Sequence, residues 1–155
     1  MLKIITALSD NYIYLLVWGN MAVAVDPGEA APVLAELKRQ NLELQAIIAT
    51  HHHWDHTAGV EELVDACGCP VIGPQDDRIP RLTQIAEEGE VLSFGPLNLR
   101  VVSVPGHTSI HVAFYEPDQK WLLSGDALFG GGCGRLFEGT PEEMHKSLAK
   151  LSELP

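Results

Sequence analysis

An apolar run, LQAIIAT (residues 44–50), leads without a break into the segment THHHWDH, Thr50 to His56, which packs four histidines and an aspartate into seven residues. A continuous apolar run of this length is expected of a strand buried on both faces. The next stretch, GVEELVDAC (59–67), has the spacing of a helix. The histidines therefore fall on a loop between the C-terminal end of a buried strand and a helix. In α/β proteins that is where ligands and metals are usually held. An ordinary core has no use for so much imidazole, and a solvated face does not need it. The chain has to fold so that a buried strand delivers this loop to a metal.

The remaining sequence supplies a frame for that loop. KIITAL (3–8), YIYLLVW (12–18) and MAVAVD (21–26) read as three strands joined by short turns. AAPVLAELKRQ (30–40) has helical spacing at Val33, Leu34 and Leu37, with basic residues at its end. PVIGP (70–74) is a further short strand, and residues 75–90 have weak periodicity and are expected to be mostly loop. Strand patterning returns in LNLRVVSVPGHTS (97–109), HVAFYE (111–116) and KWLLSGD (120–126). TPEEMHKSLAKLSEL (140–154) closes as a helix, with Thr140 as N-cap, Pro141 in the first position and Glu143 completing a capping box. Strands, helix, strand, helix, strands, helix is the order of an α/β layered fold.

At 155 residues and 46% apolar, one domain with a real core is expected. Twenty-one acidic residues stand against 10 basic ones, for a net charge of −11. Nucleic acid, whose phosphates demand clustered Lys and Arg, is excluded as a partner, and so is an anionic membrane surface. Three cysteines (Cys67, Cys69, Cys133) are too few for a disulfide scaffold. With no signal-peptide pattern and no apolar run of transmembrane length, a cytoplasmic protein is expected.

Within the histidine segment, residues two apart on an extended loop point the same way, so His51 and His53 can chelate one ion. Asp55 and His56 are adjacent and diverge, which suits a second ion close by. His52 has no assignment in this frame, and Trp54 is expected to pack the loop in place. Two later strand ends repeat the arrangement: His107 follows the Pro105–Gly106 turn, and Asp126 follows Gly125. A carboxylate can bridge two cations and an imidazole cannot, so Asp126 is the natural bridge. Imidazole and carboxylate suit zinc first, and also iron or manganese.

The pattern His-x-His-x-Asp-His, then Gly-His-Thr, then Gly-Asp resembles that of the metallo-β-lactamase superfamily. The segments SDNYIYLL (9–16), VDPGEA (25–30), PGHT (105–108) and GGCGRLFEGTPEEM (131–144) narrow the resemblance to the glyoxalase II, or hydroxyacylglutathione hydrolase, family. The resemblance implies an αββα sandwich fold and two divalent ions. The first would be held by His51, His53 and His107; the second by Asp55, His56 and the bridging Asp126. It further implies that a metal-bridging hydroxide, oriented by Asp55, attacks the thioester of S-lactoylglutathione and releases glutathione and D-lactate. Arg135 is the candidate partner for a carboxylate of the glutathione moiety, and Phe137 stands where many relatives carry Tyr.

The same family pattern includes a seventh ligand, a histidine beyond position 155, and a C-terminal helical domain. The chain is therefore expected to be a truncated metal-binding domain, with an exposed sheet edge open to pairing with a second copy. The alternatives are a sulfur dioxygenase with a single iron, another hydrolase of the same fold, or a metal-binding fragment of little activity.

Overall fold

Two stretches of small and β-branched residues with almost no exposed surface, Ala22–Val25 and Ala46–Ile48, form the centre of a six-stranded sheet. The computed structural model describes residues 1–155 and contains two compact units, Met1–Ile85 and Ala86–Pro155. In the first unit, β1 (Leu2–Ala7), β2 (Asn11–Trp18) and β3 (Met21–Val25) are antiparallel neighbours. The chain then crosses over through α1 (Ala31–Gln40) to β4 (Glu43–Ile48), which runs parallel to β3. A parallel pair requires such a crossover. Helix α1 buries Val33 and Leu37 and ends at Asn41, a left-handed residue whose N–H returns to the Leu37 and Lys38 carbonyls.

Past β4 lies a single-turn helix, α2 (Trp54–Thr57), and then α3 (Val60–Cys67), which buries Val60 and Leu63. Strands β5 (Val71–Gly73) and β6 (Leu82–Ile85) extend the sheet in parallel. Residues 75–90 are mostly loop, as expected, apart from β6, which the sequence did not single out. Its side chains are mostly exposed, so no apolar pattern marks it. It is held by backbone pairing and by Thr83, whose hydroxyl accepts from the Val71 N–H and donates to the Val71 carbonyl.

The second unit is a four-stranded antiparallel sheet in the order β10-β9-β8-β7. Strand β7 (Val91–Phe94), which was not foreseen, turns at Gly95 into β8 (Leu97–Ser103). Leu97, Leu99 and Val101 alternate inward as a half-buried strand requires. β8 ends at Ser103 rather than continuing through the histidine, because Pro105 cannot donate to a ladder and Gly106 takes φ +148°. Strands β9 (Val112–Glu116) and β10 (Trp121–Leu123) lead to a 3-10 turn, Gly125–Ala127, and α4 (Pro141–Ser152) closes the chain. The capping box is present in full: Thr140 accepts from the Glu143 N–H, and the Glu143 carboxylate accepts from the Thr140 N–H. No helix is long and apolar enough to cross a membrane.

Candidate metal centre

Asp26, one residue past β3, organises the histidine loop in the first unit. It sits in the left-handed region at φ 51°, a conformation that Asp tolerates better than most residues. Its Oδ1 accepts from the Thr50 N–H at 2.7 Å, and its Oδ2 accepts from the Thr50 hydroxyl at 2.8 Å. The same Oδ2 lies 3.1 Å from His56 Nδ1. A carboxylate only accepts, so His56 carries its proton on Nδ1 and Nε2 is its candidate ligand atom. The logic extends to His51. The Thr50 hydroxyl has given its hydrogen to Asp26, so it accepts at 2.9 Å from His51 Nδ1, which leaves Nε2 as the candidate ligand atom.

The ligating atoms of Asp26, His51 and His56 fall within 4.8 Å of one another. The Asp26 oxygens already serve three donors, which makes this carboxylate the anchor of the loop. His51 and His56 are buried, and their ring centroids are 4.4 Å apart; those of His51 and His53 are 4.7 Å apart. Asp55 and His56 were expected to diverge. On the turn of α2 they converge instead, with Asp55 Oδ2 3.5 Å from His56 Nε2. A second anchor reaches Asp55 from β2: Asn11 Nδ2 donates to Asp55 Oδ2 at 2.8 Å and to its backbone carbonyl at 3.3 Å.

Trp54 does not pack the loop. It is 67% exposed, because the first residue of α2 faces solvent. His52 turns to Asp76, with Nδ1 3.2 Å from Oδ2, and Arg78 grips the same carboxylate. Burial would raise the Asp76 carboxyl, but the hydrogen bonds and charge of Arg78, with His52 beside it, hold it below the usual carboxylate range.

In the second unit, His107 follows β8 and is buried to 2% exposure. Its Nδ1 lies 2.7 Å from the Arg135 carbonyl, so that nitrogen donates and Nε2 is the candidate ligand atom. Nε2 sits 3.3 Å from Asp126 Oδ2, so the two strand-end residues are brought side by side. Three further backbone bonds wrap residues 134–139 around them: Gly134 N–H to the Asp126 carbonyl, Phe137 N–H to that of His107, and Gly139 N–H to that of Gly106. A Cβ on Gly134 would stand 2.7 Å from His107 Nδ1 and 2.5 Å from the Asp126 carbonyl, so only glycine permits this wrap. The Arg135 side chain is exposed while its carbonyl orients His107. Phe137, 64% exposed, meets the His107 ring edge-on at 5.4 Å.

The donors suit a divalent ion. His51 and His56 in the first unit, and His107 in the second, each have Nδ1 engaged by an oxygen that the fold holds in place, which leaves Nε2 as the candidate ligand atom of each ring. Sequence reasoning left out Asp26, Thr50, Asn11 and Gly134 as contributors. The signal for Asp26 was available, as a carboxylate ending an apolar strand just as Asp126 does.

The sequence model of the Metallo-beta-lactamase superfamily matches residues 9–154. Among curated proteins, the chain is 52% identical to a hydroxyacylglutathione hydrolase of Alkalilimnicola ehrlichii, over 97% of this chain and 60% of the relative. It is 46% identical to the protein of the same name from Idiomarina loihiensis, again over 97% of this chain and 60% of the relative. The chain thus spans about 60% of the length of the curated relatives it matches. Among solved structures, TTHA1623 in a di-iron-bound form is 33% identical, with a TM-score of 0.86, over 99% of this chain and 87% of that one. ETHE1 from Myxococcus xanthus is 26% identical, with a TM-score of 0.88, over 100% of this chain and 71% of that one.

Proposed function

The chain belongs to the metallo-beta-lactamase superfamily, and from that premise we propose that it is the metal-binding part of a hydroxyacylglutathione hydrolase. The substrate would be a 2-hydroxyacyl thioester of glutathione, S-lactoylglutathione above all, and the products glutathione and D-lactate. The observation that carries the reading is the set of buried imidazoles whose Nδ1 atoms are engaged by the fold. The shared name of the curated relatives supplies the substrate.

In this reading residues 1–155 act as one metal-binding domain. His51, His53 and His107 would hold a first ion, Asp55 and His56 would hold a second, and Asp126 would be available to both. Two divalent ions, when bound, supply a water acidic enough to ionise near neutral pH, a polarised thioester carbonyl and charge to stabilise the leaving thiolate. The chain's own residues do the rest. Asp55 would orient the attacking hydroxide. Asp26 and the Arg135 carbonyl keep His56 and His107 in the tautomer that binds metal. The exposed Arg135 guanidinium is available to a substrate carboxylate, and Phe137 offers an apolar wall.

Zinc is the first candidate metal. The donors also accept iron or manganese, and the di-iron relative at 33% identity supports iron as a real option. The cytoplasm is the proposed compartment. Pairing with a second copy through an open sheet edge belongs to the same reading, since β1 and β10 end their sheets; sedimentation velocity tests it. The single-iron sulfur dioxygenase is not favoured, because the curated relatives carry the hydrolase name and the Asp55–His56 pair is intact.

The test is hydrolysis of S-D-lactoylglutathione, followed by loss of the thioester absorbance, with the Alkalilimnicola relative measured alongside. Turnover that disappears with chelator and returns with zinc or iron is the expected result. A metal-loaded chain that leaves the thioester intact while the relative cleaves it would remove the activity from these residues.

A further inference from the structure

Asn11 opens β2, distant in sequence from every ligand of the proposed centre. We propose that Asn11 is a positioning residue for Asp55, holding its carboxylate where the second ion binds. The inference rests on the binuclear reading above.

The geometry is that of a clamp. One side-chain amide nitrogen reaches two acceptors on the same residue: Asp55 Oδ2 at 2.8 Å and the Asp55 backbone carbonyl at 3.3 Å. Both partners only accept, so the group facing them is the NH2, and its two hydrogens match two acceptors. Gripping the peptide oxygen and the carboxylate together fixes the side-chain torsions between them. Such a grip has a purpose here. Asp55 sits on a single helical turn and its side chain is 29% exposed, so water and alternative rotamers compete for it.

The clamp is itself anchored. The turn preceding Asn11 is tied down by the Leu8 N–H, which donates to Glu29 Oε2 at 2.6 Å. Gly28, next to Glu29, lies so close to the Asp55 carbonyl that a Cβ there would stand 2.0 Å from the oxygen. The peptide of Asp55 is therefore seated on residues 26–30, while its carboxylate is held from β2. His56, the other ligand of the same ion, is held through Nδ1 by Asp26. Two independent anchors, Asn11 and Asp26, thus set the 3.5 Å between Asp55 Oδ2 and His56 Nε2.

The experiment is a calorimetric titration of the chelator-stripped chain with zinc, with cobalt absorption spectra in parallel, on the parent, N11A and N11D. N11D fills the same space but loses the donors and sets a second carboxylate against Asp55, so it decides the question if N11A fails to fold. The expected result is an unchanged first ion and a second ion weakened about 10- to 100-fold, more in N11D than in N11A. The cobalt bands of the second site should change while those of the first stay. In the thioester assay kcat should fall with KM nearly constant. A purely structural asparagine would lower thermal stability without separating the two ions. Variants that bind both ions like the parent overturn the proposal alone. A parent that takes up only one ion overturns it together with the binuclear reading.

Discussion

A carboxylate that serves three donors cannot be replaced by an amide of the same shape, and Asp26 shows why. Its oxygens accept from the Thr50 N–H, the Thr50 hydroxyl and the His56 ring. Asn has one oxygen, so its NH2 must face one of those hydrogens. D26N is therefore expected to cost about 1–3 kcal/mol, the penalty for leaving buried polar groups mispaired. Urea unfolding of the metal-free protein reads that cost directly, and a change below about 0.5 kcal/mol would show that Asp26 is not the hub of the loop. The cysteines offer a second test at this scale. Burial first, and then the nearby Cys67, push the Cys69 thiol up to about 11, and burial raises Cys67 as well. Cys133 is exposed. Because the thiolate is the reactive form, alkylation at mildly basic pH should mark Cys133 first and Cys69 last. Peptide mass spectrometry gives the order, and early labelling of Cys69 would mean that its segment opens.

Among the elements, those that announce themselves by pattern were legible, and those held by backbone alone were not. The strands ending at Val25 and Ile48, helices α1 and α3 and the capped α4 follow from apolar spacing and terminal signals. Strand β6 did not, because a mostly exposed edge strand needs no apolar alternation to pair. The site divided in the same way. The ligating residue types stood out at strand ends, whereas Asn11 and Gly134 act through contacts 44 residues away and through the space that a missing Cβ leaves. Neither is visible to local spacing. Helix α4 shows how an element reaches a site it does not line. Its Met144 lies against Gly106, where a Cβ would stand 2.9 Å from the Met144 Cα, and the Ser147 hydroxyl donates to the Pro105 carbonyl at 2.7 Å. The turn that presents His107 is thus seated on α4. T140A removes the capping box and should cost about 0.5–2 kcal/mol by thermal or urea unfolding. G134A acts differently: its Cβ collides with His107 Nδ1, so it should weaken metal binding more than it lowers stability. Equal losses in both quantities would show that Gly134 is a packing residue only.

For the molecule as a whole, metal binding and folding are linked, because an unfolded chain does not hold imidazoles and carboxylates at ligand spacing. Any ion that binds only the native state stabilises it, by about 2.7 kcal/mol at a hundred times its dissociation constant. In a chain of this length each kcal/mol moves the melting temperature by about 2–4 °C. Saturating zinc is therefore expected to raise Tm by about 5–10 °C for each site filled, and excess EDTA to cancel the rise. The net charge of −11 supplies a competing explanation, since an acidic surface gathers divalent cations without any site. Calcium separates the two. It prefers six to eight oxygen ligands and gains little from imidazole, whereas zinc binds nitrogen readily. Surface neutralisation would make calcium and zinc equivalent at the same concentration, while binding through imidazole nitrogen answers to zinc, iron or manganese and leaves Tm in calcium at the EDTA value. Acidification provides a second check. Imidazoles must be deprotonated to ligate, so the gap between the zinc and EDTA melting curves should close as the pH falls. Differential scanning calorimetry across that range would show it, and a calcium shift as large as that of zinc at every pH would assign the effect to surface charge.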